Sequence, residues 1–429
     1  MFYRVSKFKF HTRYLHFIRK NIIICGYILQ ILWFFAVISR ICYIFVFKTE
    51  NMIIKRELET IIKTKLFRQK AIIVIGPRQV GKTTLVKKII SSLPHKSLYL
   101  NCDEPDIRKK LESVTSTELK AMIGDAEIIA IDEAQRIKDI GITLKLIIDN
   151  LPEKQLIVTG SSAFELSSSI NEPLTGRKFE YKLFPFSFQE MSEATDSLME
   201  QRLLGNRMVF GFYPDVVNNP GDEKEILTNI VSSYLFKDIF DFQDIRRPEV
   251  IEKLLQVLAL QVGNEVSFNE LSRFLGIDRS TVQRYIYLLE KSFVIYHLHS
   301  YSRNIRNELK KSIKIYFYDN GIRNALIANF TPLELRTDTG SLWENFLLSE
   351  RYKRNSYAQN YANTYFWRTT QQQEIDYIEE KDNFLHCYEF KWSASKRAKL
   401  SKTFSNAYPN STLKVINQEN YVPFIASRE

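Results

Sequence analysis

Cysteine is scarce in this chain: four in 429 residues, at Cys25, Cys42, Cys102 and Cys387, with no two at a metal-ligand spacing. That excludes a disulfide framework and a zinc site, and it fits a reducing interior. Net charge is also small outside the leader. Residues 1–50 carry eight Lys or Arg and one acid, so they account for +7 of the net +11. The remaining 379 residues are close to neutral, which excludes nucleic-acid binding on bulk electrostatics and leaves that function to a local patch. What is present is 45% hydrophobic and 25% charged residues, enough for two or three separate cores and a multidomain globular protein.

The longest apolar run, Ile22 to Ser39 and on to Phe47 past Arg40, is long enough to span a bilayer. The basic cluster before it would hold the N-terminus in the cytoplasm and leave the body outside. Met52 opens an ordinary soluble start, so the expectation is a cytoplasmic protein beginning there, with a membrane anchor through residues 22–47 as the alternative. No small-residue cleavage site follows the run, which argues against a signal peptide.

Ala71 to Ile75 is a β-rich apolar run followed by Gly76-Pro77-Arg78-Gln79-Val80-Gly81-Lys82-Thr83-Thr84, a full G-x-x-x-x-G-K-[ST] match. The glycines permit a loop whose backbone N–H groups cradle phosphates, Lys82 reaches the β- and γ-phosphates, and Thr83 ligates magnesium. Leu85, Val86, Ile89 and Ile90 then fall at helical spacing, completing strand, loop and helix. A second apolar strand, Glu127 to Ile131, ends in Asp132-Glu133. Acids at a strand's C-terminal end sit beside the phosphate site of a parallel sheet; Asp132 would hold magnesium and Glu133 would polarise the attacking water. Ser97 to Asn101 lies between the two motifs in sequence and is expected to place one strand between them in the sheet.

Gln155 to Thr159 reads as a further strand running into Gly160-Ser161-Ser162. Ser161 either contacts the γ-phosphate or caps the next helix. Arg177, before a strand over 179–183, is either an arginine finger, acting on a neighbouring subunit of a homo-oligomer, or a surface arginine. Together, Gly76 to Thr83, Ile131-Asp132-Glu133-Ala134-Gln135, Thr159 to Ser162 and Leu183-Phe184-Pro185-Phe186-Ser187-Phe188 resemble a prokaryotic family of AAA-type ATPases. The resemblance runs from residue 52 to about 425 and implies an ATPase module followed by a winged helix and a restriction-endonuclease-like C-terminal domain.

Leu254, Leu255, Leu258 and Leu260 mark one helix; Ser267 to Ile277 reads as helix and turn, and Asp278 to Glu290 as a second helix. On that helix Val282, Tyr285, Ile286 and Leu289 are expected inside and Arg279, Gln283 and Arg284 outside. A wing with Arg303 and Arg306, near Lys310, Lys311 and Lys314, makes the best basic patch of the body; it either contacts DNA or packs on the ATPase module. The last third reads αβββαβ. Strand alternation puts Glu389 and Lys391 on one face with Asp376 a strand away, and Glu344 on the preceding helix. Two carboxylates can bind a metal, Lys391 can orient water and Glu344 can complete the shell, a pattern similar to the D...ExK core of metal-dependent phosphodiesterases.

The expected architecture is therefore α/β: a leader over 1–51, a P-loop NTPase parallel sheet of AAA type over 52–200, a helical and winged-helix region over 201–315, and an α/β restriction-endonuclease-like domain over 316–429. The expected function is an ATP- and Mg2+-dependent ATPase coupled to a nuclease-like domain, with DNA as the candidate polymer. The alternative is a nucleotide-dependent switch or scaffold whose nuclease fold only binds a partner.

Overall fold

Ile72 to Ile75 and Ile128 to Ile131 are apolar on both faces, the pattern of strands covered on both sides by helices. In the computed structural model, which describes residues 54–160, 174–235, 247–302, 313–369, 371–395 and 399–426, both are buried throughout. A short helix α1 (Glu57–Lys63) leads to β1 (Ala71–Ile75), α2 (Lys82–Ser91), β2 (Ser97–Asn101), β3 (Ile128–Asp132), β4 (Gln155–Gly160) and β5 (Lys178–Lys182). The five strands are parallel in the order β2-β3-β4-β1-β5. One strand does stand between the phosphate loop and the acidic pair, but it is β4 and not the expected Ser97 to Asn101, which forms the edge. The reason is legible in the side chains: β4 is buried at every position, whereas β2 is fully buried only at Leu100, so only β4 suits the sheet centre.

The next region contains α3 (Pro248–Leu260), β6 (Glu265–Val266), α4 (Phe268–Leu275), α5 (Arg279–Lys291), β7 (Ile295–Ser300) and β8 (Ile313–Phe317). Asp278 caps α5 through the Thr281 N–H, and Val282, Tyr285, Ile286 and Leu289 are buried while Arg279, Gln283 and Arg284 are exposed. Leu260 departs from its expected stripe: it is 65% exposed at the end of α3, while Val250, Ile251, Leu254, Leu255 and Leu258 form the buried face. Arg303, Arg306, Lys310 and Lys311 lie outside the described residues.

After α6 (Asn320–Leu326) comes α7 (Thr339–Tyr357), then β9 (Asn363–Arg368), β10 (Glu374–Lys381), β11 (Phe384–Phe390), α8 (Lys402–Ala407) and β12 (Ser411–Ile416), the expected αβββαβ order. These strands join β6, β7 and β8 in one seven-stranded sheet, ordered β12-β11-β10-β9-β7-β8-β6. The boundary expected at 315–316 thus falls inside β8. Among the described residues no helix is long and apolar enough to cross a membrane; residues 22–47 lie outside them.

Helix α7 is buried nearly all round, including Glu350, Arg351 and Lys353. Charges survive there because each has a partner. Lys353 Nζ pairs with Glu350 at 2.6 Å and donates to the Phe186 carbonyl at 2.9 Å, and Glu350 accepts the Phe188 N–H at 2.6 Å. At the start of α7, burial pushes the Asp338 carboxyl up, but Arg336 and Arg323 outweigh it and hold it at about 2. Lys353→Met should therefore lower stability by about 3–5 kcal/mol, because it leaves Glu350 buried without a counter-charge. The added Glu350→Gln should restore part of the loss. Equal urea midpoints for wild type and Lys353→Met would refute this.

Candidate functional site

The phosphate loop begins where β1 ends, and its backbone is fixed by two glycines for different reasons. A Cβ on Gly76 would stand 2.1 Å from the Leu183 carbonyl oxygen, so only glycine lets β1 end this close to the segment leaving β5. Gly81 caps α2 at φ 91°, the left-handed region that L side chains avoid. Lys82 is buried and its ammonium is held by the carbonyls of Gly76 and Pro77 at 3.0 and 2.7 Å. The N-terminus of α2 stands immediately behind it, with Thr83 and Thr84 in its first turn.

The acidic pair lies across β4, within reach of the loop. Thr83 Oγ1 donates to Asp132 Oδ2 at 2.7 Å, so the two expected magnesium ligands are brought together. Their donor set, one hydroxyl and one carboxylate, suits a hard divalent cation. Asp132 is buried and is further oriented by Tyr99 Oη at 2.5 Å and by Thr159 Oγ1. Glu133 has a left-handed backbone, φ 54°; its N–H donates to Thr159 Oγ1 at 3.1 Å and its carboxylate accepts Gln135 Nε2 at 2.5 Å. Thr159 and Tyr99 had no role in the sequence reading, although both stand at strand positions facing the acidic pair. Ser161 lies outside the described residues.

Arg56 went unnoticed in the sequence. Its buried guanidinium donates to the Val80 carbonyl at 2.7 Å and the Phe184 carbonyl at 2.6 Å, and pairs with Glu190 at 3.0 Å. Burial alone pulls this group down, but Glu190 more than offsets it and the charge is kept. Arg56 thus ties the phosphate loop to the Leu183 to Phe188 segment, whose Phe184 N–H donates to Tyr357 Oη of α7 at 3.3 Å. Pro77 and Arg78 also border a crevice of about 20 Å³ with Tyr213, Phe293, Tyr318 and Asp319. Arg177 is not brought to this site within the chain. It precedes Lys178, the register partner of Ala71, at the opposite end of the strands, about 17 Å from the loop by strand rise, and pairs with Asp149 at 2.9 Å.

The C-terminal acids do converge. Asp376 Oδ2 accepts the Phe390 N–H at 2.7 Å, and Lys391 Nζ pairs with Glu389 at 2.7 Å. Glu344 accepts from Tyr316 Oη at 2.7 Å and from Lys314 Nζ at 3.3 Å, and Lys314 pairs with Glu374 at 2.6 Å. Lys314 therefore does not belong to the surface basic patch. It is 1% exposed, because alternation along β8 turns it and Tyr316 toward the acids of α7 and β10. Burial pushes Glu344 up to about 7, opposed by Lys314 and Tyr316 and reinforced by repulsion from Asp376 and Glu374. Burial also raises Asp376 and Glu389. Among the described residues no three His, Cys, Asp or Glu side chains are arranged to hold a metal ion. In the set expected from Glu344, Asp376 and Glu389, one oxygen of each carboxylate accepts a lysine, tyrosine or backbone N–H donor.

Residues 68–192 match a family described as AAA domain, residues 201–334 a domain of unknown function (DUF8612) and residues 339–426 another (DUF4143). The AAA-domain match covers the five-stranded parallel sheet and the phosphate loop, within a mixed α/β fold. It is 27% identical over 347 residues to the uncharacterized protein Rv2008c of Mycobacterium tuberculosis, covering 79% of this chain and 74% of that one. An uncharacterized protein of Haemophilus influenzae is 30% identical over 182 residues, 40% of this chain and 46% of that one. Among solved structures, the Walker-type ATPase PABY2304 of Pyrococcus abyssi has a TM-score of 0.44 at 16% identity, covering 64% of this chain and 96% of that one. The Aeropyrum pernix ORC1 protein in complex with DNA has a TM-score of 0.32 at 12% identity, covering 65% and 93%.

An AAA module implies a bound nucleotide, and the Gly76 contact makes a sharp test. Gly76→Ala should cost about 1–3 kcal/mol of stability from overpacking and weaken binding of a fluorescent ATP analogue at least tenfold. Unchanged affinity with unchanged melting temperature would contradict the geometry.

Proposed function

We propose that this chain is a magnesium-dependent ATPase whose nucleotide state is passed to a nuclease-like C-terminal domain. The observation that carries the reading is the 2.7 Å contact between Thr83 of a complete phosphate loop and Asp132 of the acidic pair. Backbone N–H groups of Gly76 to Thr84 and the N-terminus of α2 bind the phosphates, and Lys82 brings its ammonium to the β- and γ-phosphates. Thr83 and Asp132 would hold magnesium, which supplies charge neutralisation on the phosphates when bound. Glu133, oriented by Gln135 and Thr159, positions and polarises the attacking water. Thr159, bonded to both acids, is placed to register the γ-phosphate, a role Ser161 would share.

Transmission runs through side chains already in contact. Val80, Arg56, Phe184 and Tyr357 link the phosphate loop to one end of α7, and Glu344 stands near the other. The α3 to β8 region has the element order of a winged helix, and the exposed Arg279, Gln283 and Arg284 of α5 suit contact with DNA. Arg177 acts on nucleotide only if a neighbouring subunit of a homo-oligomer presents it. Cleavage by the C-terminal domain is the second reading, favoured by the convergence of Asp376, Glu389 and Lys391.

Steady-state ATP turnover of the chain from Met52 onward should fall about 100-fold in Lys82→Ala and in Glu133→Gln, and vanish with EDTA. Turnover surviving both substitutions would sink the assignment. Metal-dependent cleavage of DNA or RNA, lost in Asp376→Ala, decides between a nuclease and a switch that only recognises its partner.

A further inference from the structure

Lys314 is the buried cation of the C-terminal cluster, and its position bears on what that cluster can bind. Its ammonium lies between Glu374 Oε1 at 2.6 Å and Glu344 Oε1 at 3.3 Å, with the Phe366 ring 5.5 Å away. A divalent metal in a D...ExK-like arrangement draws its ligands from these carboxylate oxygens and competes with any ammonium or N–H donor already on them. Here the Glu344 oxygen nearest Lys314 already accepts two donors, Asp376 Oδ2 takes a backbone N–H, and Glu389 Oε2 takes Lys391. The arrangement is built rather than incidental. Lys314 and Tyr316 alternate with Ile313, Ile315 and Phe317 on β8, so both polar side chains face the acids while the apolar ones face the core. A buried lysine persists only when its charge is matched, and Glu344 and Glu374 match it.

We infer that Lys314 is the resident cation of this cluster, its ammonium taking the place of a divalent metal, so that the C-terminal domain binds no such metal while β8 keeps its seat. The inference deepens the second reading above, by stating what closes that site, and does not depend on ATP turnover. Lys391 then serves as the partner of Glu389 and as a neighbour of Asp376, not as a group that activates metal-bound water.

The test counts bound Mn2+ by electron paramagnetic resonance on the nucleotide-free chain. Wild type and Asp376→Asn should bind the same number of ions, whereas Lys314→Met should gain one ion per chain, at least tenfold tighter than any bound at the cluster in wild type. Lys314→Met/Asp376→Asn should lose that ion again, and Lys314→Arg, which keeps the charge, should not gain it. If Lys314→Met does not fold, Lys314→Gln takes its place, with circular dichroism establishing that the compared chains are folded. Loss of one Mn2+ from wild type on Asp376→Asn would overturn the inference, as would a folded neutral variant that gains no ion. ATP turnover measured in parallel on wild type keeps failure of the ATPase reading separate, since that failure would leave these ion counts unchanged.

Discussion

The backbone from Leu183 to Phe188 leaves β5, stops being a strand and continues through the interior, where each N–H and C=O must find a partner or cost free energy. Arg56 and Tyr357 serve Phe184, Lys353 and Phe212 serve Phe186, and Glu190 and Glu350 take the N–H groups of Ser187 and Phe188. Meeting that requirement is what seats α7 against the segment leaving the five-stranded sheet, and it is why α7 carries charged residues on a helix with almost no exposed face. Without the segment, Arg56 would lose one of its two carbonyl acceptors and the phosphate loop its outer strap.

The phosphate-loop and acidic-pair geometry was largely legible in the sequence because its residues are local. Gly76 to Thr84 is contiguous, and Asp132-Glu133 ends an apolar strand, so spacing alone brings the parts together. What escaped were the long-range partners: Arg56 acts on Val80 and Phe184 from 24 and 128 residues away. Strand order escaped as well, since chain order suggested β2 beside the loop. The more completely apolar β4 would have been the better choice. In the C-terminal third, the order of elements and the acids were readable from alternation. Lys314 was not, because a lysine that follows a basic stretch of sequence looks like surface until the strand's alternation is followed inward. Nothing in composition separated it from Lys310 and Lys311.

Two clusters of unlike chemistry are thus mounted on one helix. Glu344 and Tyr357 are thirteen residues apart, about 20 Å along α7. One end meets carboxylates and a lysine; the other meets the peptide that braces the phosphate loop. A helix buried on nearly every side is close-packed along its length, so both clusters share one rigid support.

The seven-stranded sheet has a consequence for taking the molecule apart. β8 belongs by chain order to the region before α6, yet it pairs with β7, which in turn pairs with β9 of the C-terminal part. A fragment beginning at residue 316 would start inside β8, discarding Lys314 and baring the edge of β9 that β7 covers. An uncovered edge strand invites pairing between molecules. Proteolytic or recombinant fragments cut there would report aggregation, not the properties of an independent domain.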